Sequence, residues 1–131
     1  IHQFAIMCAP TTSQYAAVEA MRNGDADVQE MKAEYNVRRK YLLKRFAEMG
    51  VECFEALGAF YVFPCIKEFG MSSDDFATAM LKSKKVCVVP GTAFGNCGEG
   101  FLRISYAYSM ENLKIAMDRF EEFVNELREN Q

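Results

Sequence analysis

Four glycines fall within ten residues, at Gly91, Gly95, Gly98 and Gly100, between two runs that read as strands. A valine-rich run ends at Pro90, and Phe101–Tyr106 alternates its side chains around a single arginine at position 103. Glycine reaches backbone conformations closed to other residues, so this segment must fold as an irregular loop between strands. Within the second strand Leu102, Ile104 and Tyr106 point to one face, while Phe101, Arg103 and Ser105 point to the other. Arg103 therefore stands on a partly apolar face. A guanidinium withdrawn from water needs an anion in good geometry, and neither the strand nor its immediate flanks offers a carboxylate there. The anion can be a ligand. Alternatively Arg103 reaches solvent along its aliphatic stem, or pairs with a distant acid such as Glu99 or Glu111.

With 131 residues, half of them apolar and including 11 Phe and 6 Tyr, the chain supports one ordinary core and is too short for two. The formal charge of −3 provides no basic field, which argues against nucleic acid as a partner. The clusters Arg38-Arg39-Lys40 and Lys82–Lys85 read as solvated helix surfaces. Cys8, Cys53, Cys65, Cys87 and Cys97 are odd in number and without short paired spacings, so they are expected to be reduced and mostly buried thiols of a cytoplasmic protein. With His2 as the lone histidine, no metal site is expected. No apolar run approaches bilayer length, so no membrane partner is expected. The chain opens on Ile1 without a turn or capping signal, as though cut from something longer.

Taken in order, Thr11, Thr12 or Ser13 is expected to cap a short helix running to about Arg22, stopped by Asn23-Gly24. Its small and apolar residues call for burial on more than one face. Asp27-x-x-Glu30 reads as a capping box opening a long helix to about Met49, with Gly50 just past its end. The stripe Val28, Met31, Tyr35, Leu42, Phe46, Met49 keeps helical spacing. Such a helix suits either a strut between two bodies or a surface helix packed on one sheet. Val51–Glu55 and Ala59–Ile66 read as a hairpin-like strand pair. Ser72 or Ser73 caps a helix to about Lys84, and Val86–Val89 is a short buried strand. Ser109 caps a last helix with the stripe Met110, Leu113, Met117, Phe120, Val124, Leu127, better suited to packing on a sheet than to a coiled coil. The expected fold class is α/β, an α+β sandwich in which a small, mostly antiparallel sheet packs with helices after a long helix.

The motifs in this order are similar to those of the C-terminal part of class I aminotransferases, fold-type I pyridoxal 5'-phosphate (PLP) enzymes of the aspartate/aromatic group. The resemblance rests on Cys8-Ala-Pro-Thr-Thr-Ser-Gln-Tyr-Ala-Ala-Val-Glu-Ala20, Tyr35-Asn-Val-Arg-Arg39, Gly58-Ala-Phe-Tyr61, Pro90-Gly-Thr-Ala-Phe-Gly95 and Phe101-Leu-Arg-Ile-Ser105. Lys40 departs from the acid that many relatives carry after the two arginines. The resemblance implies that residues 1–24 end the large PLP-binding domain, 25–50 form the connecting helix and 51–131 form the small domain. It implies that Arg103 grips the substrate α-carboxylate. Phe94 and Gly95 then lie beside that carboxylate, and Ala59 and Phe60 line the substrate side of the cleft. Thr11 and Thr12 fall near a segment brought towards the cofactor at a dimer interface. The lysine that carries PLP and the acid on its pyridine nitrogen are expected before Ile1, since none of the eight lysines here has a matching context.

These readings lead to part of a homodimeric PLP transaminase that moves an amino group between an amino acid and a 2-oxo acid, the chain alone being inactive. Two other readings are compatible with the residues. One is a free-standing α/β module binding a small carboxylate or a protein partner without chemistry. The other is a fragment that self-associates through its first helix.

Overall fold

A computed structural model describes residues 7–130. They fall into two compact units that divide between Glu34 and Tyr35. In the first, helix α1 (Thr11–Asn23) is followed by the opening turns of α2 (Asp25–Glu48), which continues into the second unit. Pro10, not a hydroxyl side chain, occupies the N-cap of α1, and no side-chain cap hydrogen bond forms. The expected cap at Thr11, Thr12 or Ser13 is therefore corrected. Proline at this position already presets the backbone, and its carbonyl accepts from the Gln14 amide at 3.1 Å. The expected capping box at Asp27 is corrected too. Gly24 stays in the right-handed helical region, and its carbonyl accepts from the Val28 amide, so α2 starts at Asp25 and Asp27 lies in its first turn. No residue of α1 is buried, and Tyr15, Val18 and Met21 are exposed.

The second unit holds the core. From α2 it takes Leu42 and Phe46, followed by Met49, and the chain leaves the helix through Gly50 at φ +70. The sheet has three antiparallel strands in the order β1 (Tyr61–Val62), β3 (Leu102–Ser105), β2 (Val89–Pro90). Helix α3 (Ser73–Lys84) precedes β2, and α4 (Met110–Glu129) follows β3. Ser72 caps α3 by accepting from the Asp75 amide at 3.1 Å, and Ser109 caps α4 by accepting from the Asn112 amide at 3.3 Å. Both match the sequence reading. The stripe of α4 is buried at Leu113, Met117, Phe120 and Val124, and Phe123 joins it. Phe76 of α3 meets Phe120 and Phe123 at centroid distances of 6.0 and 5.0 Å, and Phe46 meets Phe120 edge-on at 5.5 Å. Arg45 fastens α2 to α4 through Asp118 at 2.6 Å and Glu121 at 2.9 Å.

The strands are shorter than expected. Val51–Glu55 forms a single bridge, Cys53 with Pro64, and Ala59–Ile66 keeps regular pairing only at Tyr61–Val62. Pro64 has no amide hydrogen to donate, which interrupts both ladders. The path continues nonetheless: Leu102 donates to the Pro64 carbonyl at 3.1 Å and Cys65 bridges Phe101. The Val86–Val89 strand is cut to Val89–Pro90, with Val86 half-buried and Val88 buried. The fold class stands as a small antiparallel sheet packed with helices. The cysteines do not fit the expectation of burial: Cys8, Cys87 and Cys97 are exposed, Cys53 and Cys65 half-buried, and all five are free thiols. Burial pushes the Cys53 thiol up to about 11, which keeps it protonated and unreactive at neutral pH. No helix among the described residues is long and apolar enough to cross a membrane.

Candidate functional site

Arg103 lies on the central strand. Tyr61 pairs with Ser105 and Cys65 with Phe101 in one register, which sets Phe63 opposite Arg103 on one side. Val89 stands opposite it on the other. Cross-strand partners share a face, so Tyr61, Phe63 and Arg103 emerge together. Val62, Leu102 and Tyr106 point to the core and are at most 2% exposed.

The glycine loop places one more ring on this face. After Pro90 the chain makes a 3-10 turn, Gly91–Phe94, then a second, Asn96–Gly98. Between them Gly95 adopts φ +121 and ψ 165, a conformation that residues with a Cβ rarely enter. Gly91 and Gly98 pack backbone on backbone: a Cβ on either would run into the carbonyl of the other. The Gly91 amide donates to the Phe101 carbonyl at 2.8 Å, and the Phe101 amide donates to that of Gly98 at 3.1 Å, which ties the loop to the start of β3.

Helix α3 holds the loop at both ends. Thr92 Oγ1 donates to Asp74 Oδ2 at 3.0 Å. At the far end Ser73, fully buried, accepts the Gly100 amide on Oγ at 2.9 Å, while its own amide donates to Glu99 Oε1 at 2.9 Å. Replacing Ser73 with alanine is expected to lower stability by about 1–3 kcal/mol, because the Gly100 amide would stay buried without an acceptor. A urea midpoint equal to that of the unmodified protein would contradict this.

Held in this way, the Phe94 ring stands 4.6 Å from the Arg103 guanidinium carbon, and the Tyr61 ring stands 4.4 Å from it. Arg103 Nε is buried and has no hydrogen-bond partner. Among the described residues the guanidinium forms no ion pair. Glu99 is engaged with the Ser73 amide. Of the acids weighed from sequence, neither Glu99 nor Glu111 meets Arg103. A half-buried cation on an aromatic face, with nitrogen capacity unspent, is suited to a planar anion.

The other expected site residues gather unevenly. Phe94 touches Arg103, and Gly95 follows it in the loop. Phe60 does not touch the arginine itself; its ring packs on Tyr61 at 4.5 Å and stacks on Tyr35 at 6.0 Å. Ala59 takes φ +57, and its carbonyl accepts from the Tyr106 hydroxyl at 2.9 Å, whose pKa burial raises. Thr11 and Thr12 are the exposed first residues of α1, in the other unit. Sequence reasoning missed Tyr61 and Phe63, although their spacing of two signalled a common face. Among the described residues no group of three or more His, Cys, Asp or Glu side chains is placed to hold a metal ion.

Four lysines have partners that do not suit them to carry PLP. Carrying it requires a neutral amine, whereas Lys84 is held as a cation, its pKa raised by the hydrogen bond to Glu126 with Glu122 adding to it. Lys44 pairs with Glu48, Lys85 donates to the Lys82 carbonyl, and Lys67 lies over the Phe101 ring.

The chain is 49% identical over 121 residues to both the aromatic-amino-acid aminotransferase 2 of Thermococcus litoralis and the aspartate aminotransferase of Pyrococcus abyssi. In each case the match takes in 91% of the chain and 31% of the relative, so the chain spans about a third of the length of these curated relatives. The crystal structure of the aromatic aminotransferase from Pyrococcus horikoshii superposes with a TM-score of 0.84 at 46% identity, covering 88% of the chain and 31% of that structure. The family model for aminotransferase class I and II matches residues 2–120, nearly the whole sequence and all of the arginine strand with its glycine loop. The chain belongs to the class I and II aminotransferase family.

Proposed function

We propose that the chain works within a PLP-dependent transaminase, as the part that grips the carboxylate shared by the amino acid and 2-oxo acid substrates. The single observation that carries this reading is Arg103, half-buried between Tyr61 and Phe94 without an acidic partner among the described residues. The two outer guanidinium nitrogens form a fork that meets a carboxylate by two parallel hydrogen bonds. Such a grip fixes the rotation of the substrate as well as its position, and orientation is where much of a transaminase's advantage over solution arises. Phe94 and Gly95 flank that carboxylate, with Ala59 and Phe60 further along the same wall. In this reading PLP and the lysine that carries it come from sequence outside residues 1–131, Thr11 and Thr12 lie towards the cofactor, and the working enzyme is a cytoplasmic homodimer.

The test replaces Arg103 with lysine in the full-length protein and compares inhibition by a 2-oxo acid and by its neutral amide. Lysine keeps the charge and loses the fork. The preference for carboxylate over amide is expected to fall by about tenfold or more, corresponding to one charge-assisted hydrogen bond. An unchanged preference would remove the role from Arg103.

A further inference from the structure

An arginine side chain is long and flexible, and its fork selects a carboxylate only when the plane of the guanidinium is held. Two other arginines are held through side-chain oxygens: Arg45 is clamped by the carboxylates of Asp118 and Glu121, and Arg39 by the Glu55 carboxylate and the Asn36 amide oxygen. Arg103 has no such clamp. Its Nε is buried and unbonded, and what surrounds it is aromatic. The two nearest rings reach it from opposite sides of the central strand, Tyr61 from β1 and Phe94 from the turn after β2.

Both rings are themselves braced. Tyr61 is paired through its backbone with Ser105 and packed against Phe60 at 4.5 Å, while Phe94 meets Phe63 edge-on at 6.0 Å. The Arg103 guanidinium carbon lies over the Tyr61 ring face, and among the described residues no hydrogen bond engages the Tyr61 hydroxyl. A ring face attracts a cation and leaves the guanidinium edge free, whereas an acidic clamp would occupy that edge and compete with the ligand.

We propose that Tyr61 is a positioning residue for carboxylate capture: its ring face holds the Arg103 guanidinium in plane so that the outer edge meets a carboxylate already aligned. The proposal rests on the carboxylate reading of Arg103 given above. It assigns the effect to the ring and none of it to the hydroxyl.

The experiment uses the full-length protein with Tyr61→Phe, Tyr61→Leu and Tyr61→Met, and Arg103→Leu as reference. Two readouts are taken: KM and kcat for the amino donor, and binding of the non-reacting probes butanoate and butanamide by NMR titration. Tyr61→Leu and Tyr61→Met are expected to raise KM and weaken butanoate by about tenfold, the loss of one desolvated cation–ring contact. In both, butanamide binding should hold within about twofold, and Tyr61→Phe should restore KM and butanoate binding, because a ring face is all that is required. Methionine approximates the side-chain length without a ring, so it serves if the leucine variant does not fold. Should KM and butanoate binding stay unchanged in the leucine or methionine variant while Arg103→Leu weakens both, the positioning role is wrong and the carboxylate reading survives. A Tyr61→Phe variant as impaired as Tyr61→Leu would assign the effect to the hydroxyl and overturn the proposal. If Arg103→Leu itself leaves KM and butanoate binding unchanged, the carboxylate reading falls and the positioning role falls with it.

Discussion

Replacing Arg103 with leucine is expected to lower kcat/KM of the full-length protein for amino acid substrates by about a thousandfold. Removing one partner of a desolvated charge pair typically costs about 3–5 kcal/mol, part of it from the remaining charge left without a partner. Here that remaining charge belongs to the substrate carboxylate, so the loss falls on capture and alignment. The protein itself should fold as well as before. Without ligand, the Arg103 cation has no acidic partner among the described residues and its Nε is orphaned, so an apolar side chain between Tyr61 and Phe94 removes a desolvation cost. A thermal midpoint that holds or rises, together with the kinetic loss, identifies a residue kept for binding. Unchanged kinetics would remove Arg103 from the site, and a collapse in stability would make it structural.

Helices were legible in the sequence where a capping residue and an apolar stripe agreed. Ser72 and Ser109 start α3 and α4, and the stripe from Leu113 to Val124 is the face that α4 buries. The helix starts failed where two signals competed. Pro10 replaced the hydroxyl caps of α1, and Gly24, able to stay helical, moved the start of α2 ahead of the capping box. Strand positions were legible and strand lengths were not, because an apolar run predicts burial while a ladder also needs donors, and Pro64 has none. The cysteines show the same limit. Residues in apolar runs ended up at the surface or half-buried because the elements around them are two residues long.

For the site, alternation along Phe101–Tyr106 assigned Arg103 to the right face, and the glycine spacing located the loop. The identity of its neighbours depended on cross-strand register, which the sequence of one strand does not contain. Tyr61 approaches Arg103 because residue 61 pairs with residue 105, and a slip by one residue would turn it to the opposite face. The bracing of the loop by Ser73 and Asp74 was likewise invisible, since those residues read only as the start of a helix. Family resemblance pointed to Phe94, whose ring lies beside Arg103, and to Gly95 next to it in the loop. It did not recover Tyr61, whose contact is visible only in the folded sheet.

Substituting alanine at Gly91 is expected to cost about 4 kcal/mol or more, a size that marks overpacking the backbone cannot relieve. Gly91 does not have a positive φ, so the conflict is one of space and not of conformation. The added Cβ would overlap the Gly98 carbonyl and stand 2.8 Å from the Phe101 carbonyl oxygen. Both obstacles are backbone, and both are fixed by the hydrogen bonds that join the loop to β3, Gly91 to Phe101 and Phe101 to Gly98. Relief requires breaking that seam and moving Phe94 off Arg103. Gly58 is the control, because a Cβ there meets nothing within 4 Å, and alanine at that position should shift stability by less than about 1 kcal/mol. The measurement is the urea midpoint of both variants in the same background. A large loss for Gly91→Ala with little change for Gly58→Ala would show that the loop is built on close backbone contact. Equal, small effects would mean that the seam yields readily, and the placement of Phe94 would then have to depend on Phe63 and the hydrogen bond from Thr92 to Asp74.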